Sequence, residues 1–275
     1  MRYVFGIIVF ICTLSSCSEY QKVLKSEDIA LKFKTGDSLF QEGKYEKANR
    51  IFQQIVPKYK GKPQAQKLMY LYSKSFYEMK DYYVSGYQFE RFVSSYPKSE
   101  KKEEAAFLSA KSYYMLSPRY SKDQKETRDA IEKLQEFINL YPNSQYVAEA
   151  NTLVKELDFK LEKKAFEIAK QYDHISDYKA SIRSFDNFIF EFPGSVLRED
   201  ALFYRFDAAY ELAINSIELK RTAEGVVRLK KNRLEQAKEY FNVFKKAYAN
   251  SKYIAEAEEM AATIDIELET YSAKS

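Results

Sequence analysis

Five times along the chain an apolar or aromatic triplet recurs at spacing i, i+3, i+7: Phe52/Ile55/Tyr59, Phe89/Phe92/Tyr96, Leu134/Phe137/Tyr141, Phe185/Phe188/Phe192 and Phe241/Phe244/Tyr248. That spacing places three side chains on one stripe of an α-helix, so the pattern predicts an array of helical repeats. Four triplets run into a break of nearly constant form: Tyr96-Pro97-Lys98-Ser99, Tyr141-Pro142-Asn143-Ser144, Phe192-Pro193-Gly194-Ser195 and Tyr248-Ala249-Asn250-Ser251. After the first, Lys60-Gly61-Lys62-Pro63 takes this place. Proline pushes the residue before it out of the α region and ends the helix, and the serine is suited to cap the next one. An acid and an alanine follow each serine by five and six residues, as Glu104-Ala105, Glu149-Ala150, Asp200-Ala201 and Glu256-Ala257. The acid favours the positive end of the helix dipole, while the alanine lets a neighbouring helix approach closely.

The first copy also carries Gly36, Gly43, Lys44-Tyr45, Ala48 and Phe52, and the second Ser73, Lys80, Asp81-Tyr82, Ser85, Phe89 and Pro97. These positions resemble the tetratricopeptide repeat, which implies paired antiparallel helices crossing at the small residues. The expected fold is all-α: a tetratricopeptide-repeat superhelix of about five helix pairs plus a C-terminal capping helix over 253–270, with no strand, occupying residues 27–275. Break positions lie about 37, 45, 51 and 56 residues apart, increasingly beyond the ideal of roughly 34. Either the later helices are longer or their turns carry insertions. Composition agrees, with 7 Gly and 6 Pro in 275 residues and 16% aromatic side chains to plug a thin two-layer core.

The N-terminus carries a different signal. Arg2 precedes an apolar run over 4–11, followed by Leu14-Ser15-Ser16-Cys17, which resembles the lipobox of bacterial lipoproteins. The run is short for a membrane span, so residues 1–16 read as a cleaved signal peptide and residues 17–26 as a lipidated Cys17 with a polar tether. An ordinary secretory signal containing two cysteines is the alternative. Cys12 leaves with the signal and Cys17 is modified, so no pair remains for a disulfide. Acyl chains hold a protein by ~0.8 kcal/mol per buried methylene. Ser18 stands where the familiar inner-membrane retention signal has Asp, which by analogy favours the outer membrane.

Taken in order with Cys17, the stretch from Arg128-Asp129-Ala130 through Phe137, then Tyr141-Pro142-Asn143-Ser144-Gln145-Tyr146 and Ala150, resembles a repeat junction of the BamD family of outer-membrane assembly lipoproteins. Phe192-Pro193-Gly194-Ser195 with Asp200-Ala201 and Ala209-Tyr210 is similar to the next junction. The resemblance implies a non-catalytic subunit of the β-barrel assembly machinery, lipid-anchored in the outer membrane and facing the periplasm. It implies partners too: a BamA-like barrel subunit, held through its POTRA domains, and unfolded outer-membrane proteins. The part from 217 to 275 is larger than the family pattern.

Reading the helices by face adds a candidate site. Leu68, Leu71, Tyr72, Ser75, Phe76 and Met79 form one core stripe, and Tyr70, Lys74 and Tyr77 form a second pointing elsewhere. The second stripe recurs as Phe107, Lys111 and Tyr114, and as Phe33, Asp37 and Phe40. In the tetratricopeptide fold such first-helix positions line a peptide-binding groove. Rings flanking an ammonium suit an extended segment that ends in an aromatic residue and a free carboxylate. The alternative for the same residues is packing between repeats, with the lysines solvated.

Other chemistry is sparse. The run from Lys220-Arg221 to Arg228-Leu229-Lys230-Lys231-Asn232-Arg233 is basic against one acid, Glu224, and reads either as contact with phosphates or an acidic partner, or as a solvated helix face. A net charge of +4 with mixed signs gives no argument for nucleic acid. The single histidine, His174, is expected in a turn, and no metal, cofactor or nucleophile motif is present, so no enzyme is expected. Two rival readings are a glycan-capturing lipoprotein, disfavoured by the absence of Trp, and an adaptor for envelope growth or division.

Overall fold

A computed structural model describes residues 19–217, 220–222, 225–227 and 229–272. The signal peptide and Cys17 lie outside the described residues. After a helical segment at 19–25 come α1 (Ile29–Gln41), α2 (Tyr45–Ile55), a 3-10 turn (Val56–Tyr59), α3 (Ala65–Glu78), α4 (Tyr82–Ser95), α5 (Lys102–Leu116) and α6 (Lys125–Leu140). Then follow α7 (Val147–His174), α8 (Tyr178–Glu191), α9 (Arg198–Ile214), β1 (Lys220–Thr222), β2 (Gly225–Val227), α10 (Leu229–Ala247) and α11 (Ile254–Ser272). Among the described residues these make the five expected helix pairs, α1/α2 to α9/α10, and α11 as the closing helix. Two compact units divide the chain: one runs through Pro118 and includes Lys122–Leu157, the other comprises Arg119–Ser121 and everything from Asp158 onward.

The triplets do what their spacing predicts. Phe52, Ile55, Phe89, Phe92, Leu134, Phe137, Phe185, Phe188, Phe241 and Phe244 are all buried. The third residue turns back onto the second, with ring centres 5.3 Å apart in Phe92/Tyr96, 5.4 Å in Phe137/Tyr141 and 5.3 Å in Phe188/Phe192. Before proline the backbone leaves the α region as expected, at φ/ψ −129/64 for Tyr96 and −131/57 for Tyr141. The serines act two residues before the cap position expected of them. Ser99, Ser195 and Ser251 accept from the amides of Lys101, Leu197 and Tyr253 at 3.0–3.1 Å, so they close the interhelix turn, and the helix starts a residue later. The alanines after each acid, Ala105, Ala150, Ala201 and Ala257, have no exposed surface.

Turns within pairs share a second device. Gly43, Lys80 and Ser176 have φ of 74°, 62° and 61°, and the next amide bonds back five residues, Lys44 to Leu39, Asp81 to Phe76 and Asp177 to Tyr172, at 2.8–2.9 Å. This is the left-handed helix stop that glycine adopts without strain. The lengthening repeats have three separate causes: a loop at 117–124 between α5 and α6, the 28-residue α7, and the β1–β2 hairpin inserted before α10. That hairpin, antiparallel with Arg221 opposite Val226, corrects the expectation of a strand-free chain. Its residues carry part of the basic run, whose alternative reading was a solvated helix face.

In unit one, α3 packs on both α2 and α4 and also touches α1 and α5. Its buried set therefore exceeds the expected stripe: Met69 and Tyr70 join Leu68, Leu71, Tyr72 and Ser75, while Met79 at the helix end is 36% exposed. A helix with neighbours on three sides needs a wider apolar face than an outer one. Polar bridges are buried beside it, including Asn49 Nδ2 donating to Ser75 Oγ at 2.8 Å and Ser109 Oγ to the Gly86 carbonyl at 3.0 Å. In unit two, Phe166 meets Phe185 and Phe188 edgewise, each at 5.7 Å. Helix α11 closes the opposite edge with Ala257, Ala261 and Ile264 in one core with Phe241 and Phe244.

Candidate peptide-binding surface

Equivalent faces of α1, α3 and α5 in unit one carry the nine positions singled out from sequence. Their leading rings are inside the array. Phe33 stacks on Tyr59 at 5.6 Å, Tyr70 meets Phe89 and Phe92 at 6.1 and 5.7 Å, and Phe107 lies flat on Tyr146 at 4.8 Å. The trailing rings are half-buried: Phe40 leans on Tyr45 at 5.1 Å, Tyr77 on Tyr82 at 5.6 Å, and the Tyr114 hydroxyl donates to Glu156 at 2.5 Å. The same register thus supplies a core plug at its first position and a rim ring at its last.

Between them runs a ladder of charges that joins successive pairs. Lys67 meets Asp37 at 2.5 Å, Lys111 meets Glu149 at 2.6 Å, and Glu104 receives Lys101 at 2.8 Å, the Tyr70 hydroxyl at 2.5 Å and Lys74 at 3.8 Å. Lys74 also sits 5.8 Å from the centre of the Tyr70 ring. Glu104 is a shared anion. Burial pushes its carboxyl up, but the hydrogen bonds from Lys101 and Tyr70 and the charges of Lys101 and Lys74 outweigh that and hold it below the ordinary value. Tyr70 is pushed far up by burial and then by Glu104. Tyr114 rises to about 12 through its bond to Glu156 and then burial. Burial lowers the Lys111 ammonium, and its bond to Glu149 more than restores it. Glu104 is held closely by Lys101 and only at 3.8 Å by Lys74, while Glu100 also acts on Lys101 and Glu78 on Tyr70.

Reading from sequence missed Lys67, Lys101, Glu104, Glu149 and Glu156 as parts of this surface. Glu104 and Glu149 were visible as recurrent first-turn acids, but the helix dipole accounted for them without a partner. The register also continues in unit two, where Phe203, Asp207 and Tyr210 stand as Phe107, Lys111 and Tyr114 do. Phe203 lies on Tyr253 at 4.1 Å, repeating the Phe107/Tyr146 stack, and Asp200 accepts from the Tyr253 hydroxyl at 2.5 Å and from Lys252 at 3.1 Å. Asp207 is raised to about 7 by burial first and then by the charges of Asp173, Glu211 and Glu256. At this register position Asp207 has acids around it, whereas Asp37, Lys74 and Lys111 each meet an opposite charge.

His174 is the last residue of α7 rather than a loop residue. Among the described residues no group of His, Cys, Asp and Glu is placed to hold a metal ion, and no helix is long and apolar enough to cross a membrane. Within the basic run, Lys230 meets Glu267 at 2.8 Å and Arg233 donates to Ser216 at 2.5 Å. Those two cations belong to the packing of unit two.

A family model described as YfiO, outer membrane lipoprotein, matches residues 27–224. No curated protein matches the chain. Among solved structures the chain is similar to the TPR2AB-domain:pHSP90 complex of yeast Sti1, at 13% identity over 89% of this chain and 86% of that one, with a TM-score of 0.41. It is also similar to two crystal structures of MamA, both at 14% identity. One covers 82% of this chain and 95% of that one at a TM-score of 0.30, the other 87% and 97% at 0.29.

Proposed function

The chain belongs to the YfiO family of outer membrane lipoproteins, and on that premise we propose that it is a non-catalytic, lipid-anchored scaffold of the β-barrel assembly machinery, facing the periplasm. In this reading Cys17 carries the lipid, the array docks a BamA-like barrel subunit through that subunit's POTRA domains, and unfolded outer-membrane proteins are held for insertion. The observation that carries the reading is the extent of the family match, 27–224, which includes α1 through α9 and so the whole candidate surface. The charge ladder supports substrate capture by unit one. Lys101 holds Glu104 at 2.8 Å and Lys74 reaches it only at 3.8 Å, so the Lys74 ammonium is the more weakly paired and can meet a chain-terminal carboxylate, and the rims of Tyr77 and Tyr114 offer rings to a terminal aromatic residue.

Two measurements test it. A pull-down from detergent-solubilised envelopes should recover a barrel subunit with POTRA domains; recovery of a glycan transporter or of cell-wall synthases instead would replace the reading. A fluorescent peptide from a barrel protein's C-terminal strand should bind, and lose affinity about tenfold in Lys74→Gln with Lys101→Gln, at ~1.4 kcal/mol per tenfold. Neutral glutamines are chosen because reversal would set carboxylates beside Glu104. Equal affinity for parent and variant, or indifference to the terminal aromatic, would remove substrate capture from this face.

A further inference from the structure

The segment expected as a polar tether is, over 19–25, a short helix seated on the first helix pair. Tyr20 donates its hydroxyl to the Lys47 carbonyl at 3.2 Å, and the Lys47 ammonium lies 5.4 Å from the centre of its ring. Val23 lies in the same cleft, with Leu31 and Leu39 of α1. At the other end Ser26 Oγ accepts from the Asp28 amide, and Asp28 caps α1 through the amides of Ala30 and Leu31. The chain between Tyr20 and Asp28 is thus fastened at both ends, and Tyr20 is held where α1 turns into α2.

Covalent geometry then limits where a bilayer could be. Cys17 precedes Tyr20 by three residues, and three residues span at most about 11 Å. With acyl chains on Cys17 in the hydrocarbon, Tyr20 cannot be more than about 11 Å from the hydrocarbon boundary, little beyond the headgroup layer of roughly 5–8 Å. Tyrosine suits that interface, and ammonium and guanidinium groups suit lipid phosphates. Lys22, Lys25, Lys44, Lys47 and Arg50 are exposed at this end, against three exposed acids, Glu19, Glu42 and Glu46, so cations outnumber anions there.

We propose that this end of unit one, with Tyr20 as its pin and Lys22, Lys47 and Arg50 as its cations, sits on phospholipid headgroups and holds α1 and α2 in a fixed orientation to the membrane. The inference rests on lipidation of Cys17. The full-length lipidated protein, reconstituted in phosphatidylethanolamine and phosphatidylglycerol vesicles, would carry a bimane on an introduced cysteine at exposed Glu46 or at exposed Lys60. The second site lies beyond the far end of α2, whose run from Glu46 to Ile55 alone spans about 14 Å. Lipids with a headgroup nitroxide should quench the Glu46 label about threefold more than the Lys60 label, and Tyr20→Ala should abolish the difference while the protein stays with the vesicles. Equal quenching at the two sites in the anchored parent, or a difference that survives Tyr20→Ala, would overturn the seating alone. Failure of the protein to float with vesicles would overturn the anchor and the seating together.

Discussion

Substituting alanine at two helical glycines should give opposite outcomes from the same chemical change. Gly36 in α1 and Gly86 in α4 both lie inside helices, so alanine gains each about 1 kcal/mol in backbone propensity. Their surroundings differ. A Cβ at Gly36 would stand 2.5 Å from Phe52 Cε1 and 3.0 Å from its Cδ1, and Phe52 is completely buried. That ring has nowhere to move, so the overlap must be relieved by parting α1 from α2, at a cost of ~1–3 kcal/mol or more for an overpacked core. A Cβ at Gly86 would meet Tyr113 Cε2 at 3.1 Å and Ser112 Cβ at 3.5 Å. Tyr113 is half-buried, and its ring edge need yield only a few tenths of an ångström. Gly36→Ala should therefore lower stability by about 2 kcal/mol, while Gly86→Ala should stay within ~0.5 kcal/mol of the parent or exceed it. Urea unfolding followed by far-UV circular dichroism measures both, and hydrogen exchange should place the Gly36→Ala loss in α1 and α2. Equal midpoints for the two variants would refute the claim that contact with Phe52, rather than helix propensity, decides the effect.

Asp207 has its carboxyl at about 7 in the fold against 3.8 otherwise, so the folded chain binds a proton that the unfolded chain releases. The associated stability is complete below pH ~4 and is lost as pH rises through 7. At ~1.4 kcal/mol per tenfold the gap has an upper limit of ~4 kcal/mol, reduced by solvent reaching a half-buried side chain; Asp207→Asn should add about 1–3 kcal/mol at pH 8 and little at pH 4, read from paired unfolding curves. Lys80→Gly relieves a φ of 62° and should raise stability by up to ~1 kcal/mol, whereas an unchanged or lower midpoint would mean that the turn tolerates lysine without strain. Removing residues 251–275 uncovers Phe241 and Phe244 and deletes the Tyr253 stack on Phe203. The truncated chain should aggregate on light scattering, and a soluble, cooperatively folding product would contradict the capping role of α11.

Much of the fold was legible because its signals are local. The i, i+3, i+7 triplets, the prolines and the recurrent alanines each state a fact about one helix or one turn; the first two residues of each triplet and the alanines are buried as that rule requires, while the third residue falls just past the helix and folds back. What spacing could not show was which neighbour a side chain meets, since those contacts cross about 30 to 50 residues: Lys67 to Asp37, Lys111 to Glu149, Ser251 to Glu199. Periodicity also cannot separate a rim ring from a core plug when both lie on one helix face, which is why Tyr70 and Tyr77 looked alike. The hairpin escaped for another reason: its strands are three residues each, too short for alternation to register.

Residue register and residue chemistry do different things in this chain. Asp37, Lys74, Lys111 and Asp207 hold the same place in the first helices α1, α3, α5 and α9, and register alone predicts that each faces the element that follows its pair. Chemistry then decides the outcome: Asp37 and Lys111 are neutralised by a single opposite charge, Lys74 shares its carboxylate, and Asp207 faces acids and holds a proton instead. A repeat array can therefore keep one backbone solution while the same position carries a paired acid in α1, paired bases in α3 and α5, and an acid of raised pKa in α9. Within the ladder of unit one the loosest of these pairs is Lys74 with Glu104, at 3.8 Å against 2.5–2.8 Å for the others, and that is why the proposed capture of a chain-terminal carboxylate is tested at Lys74.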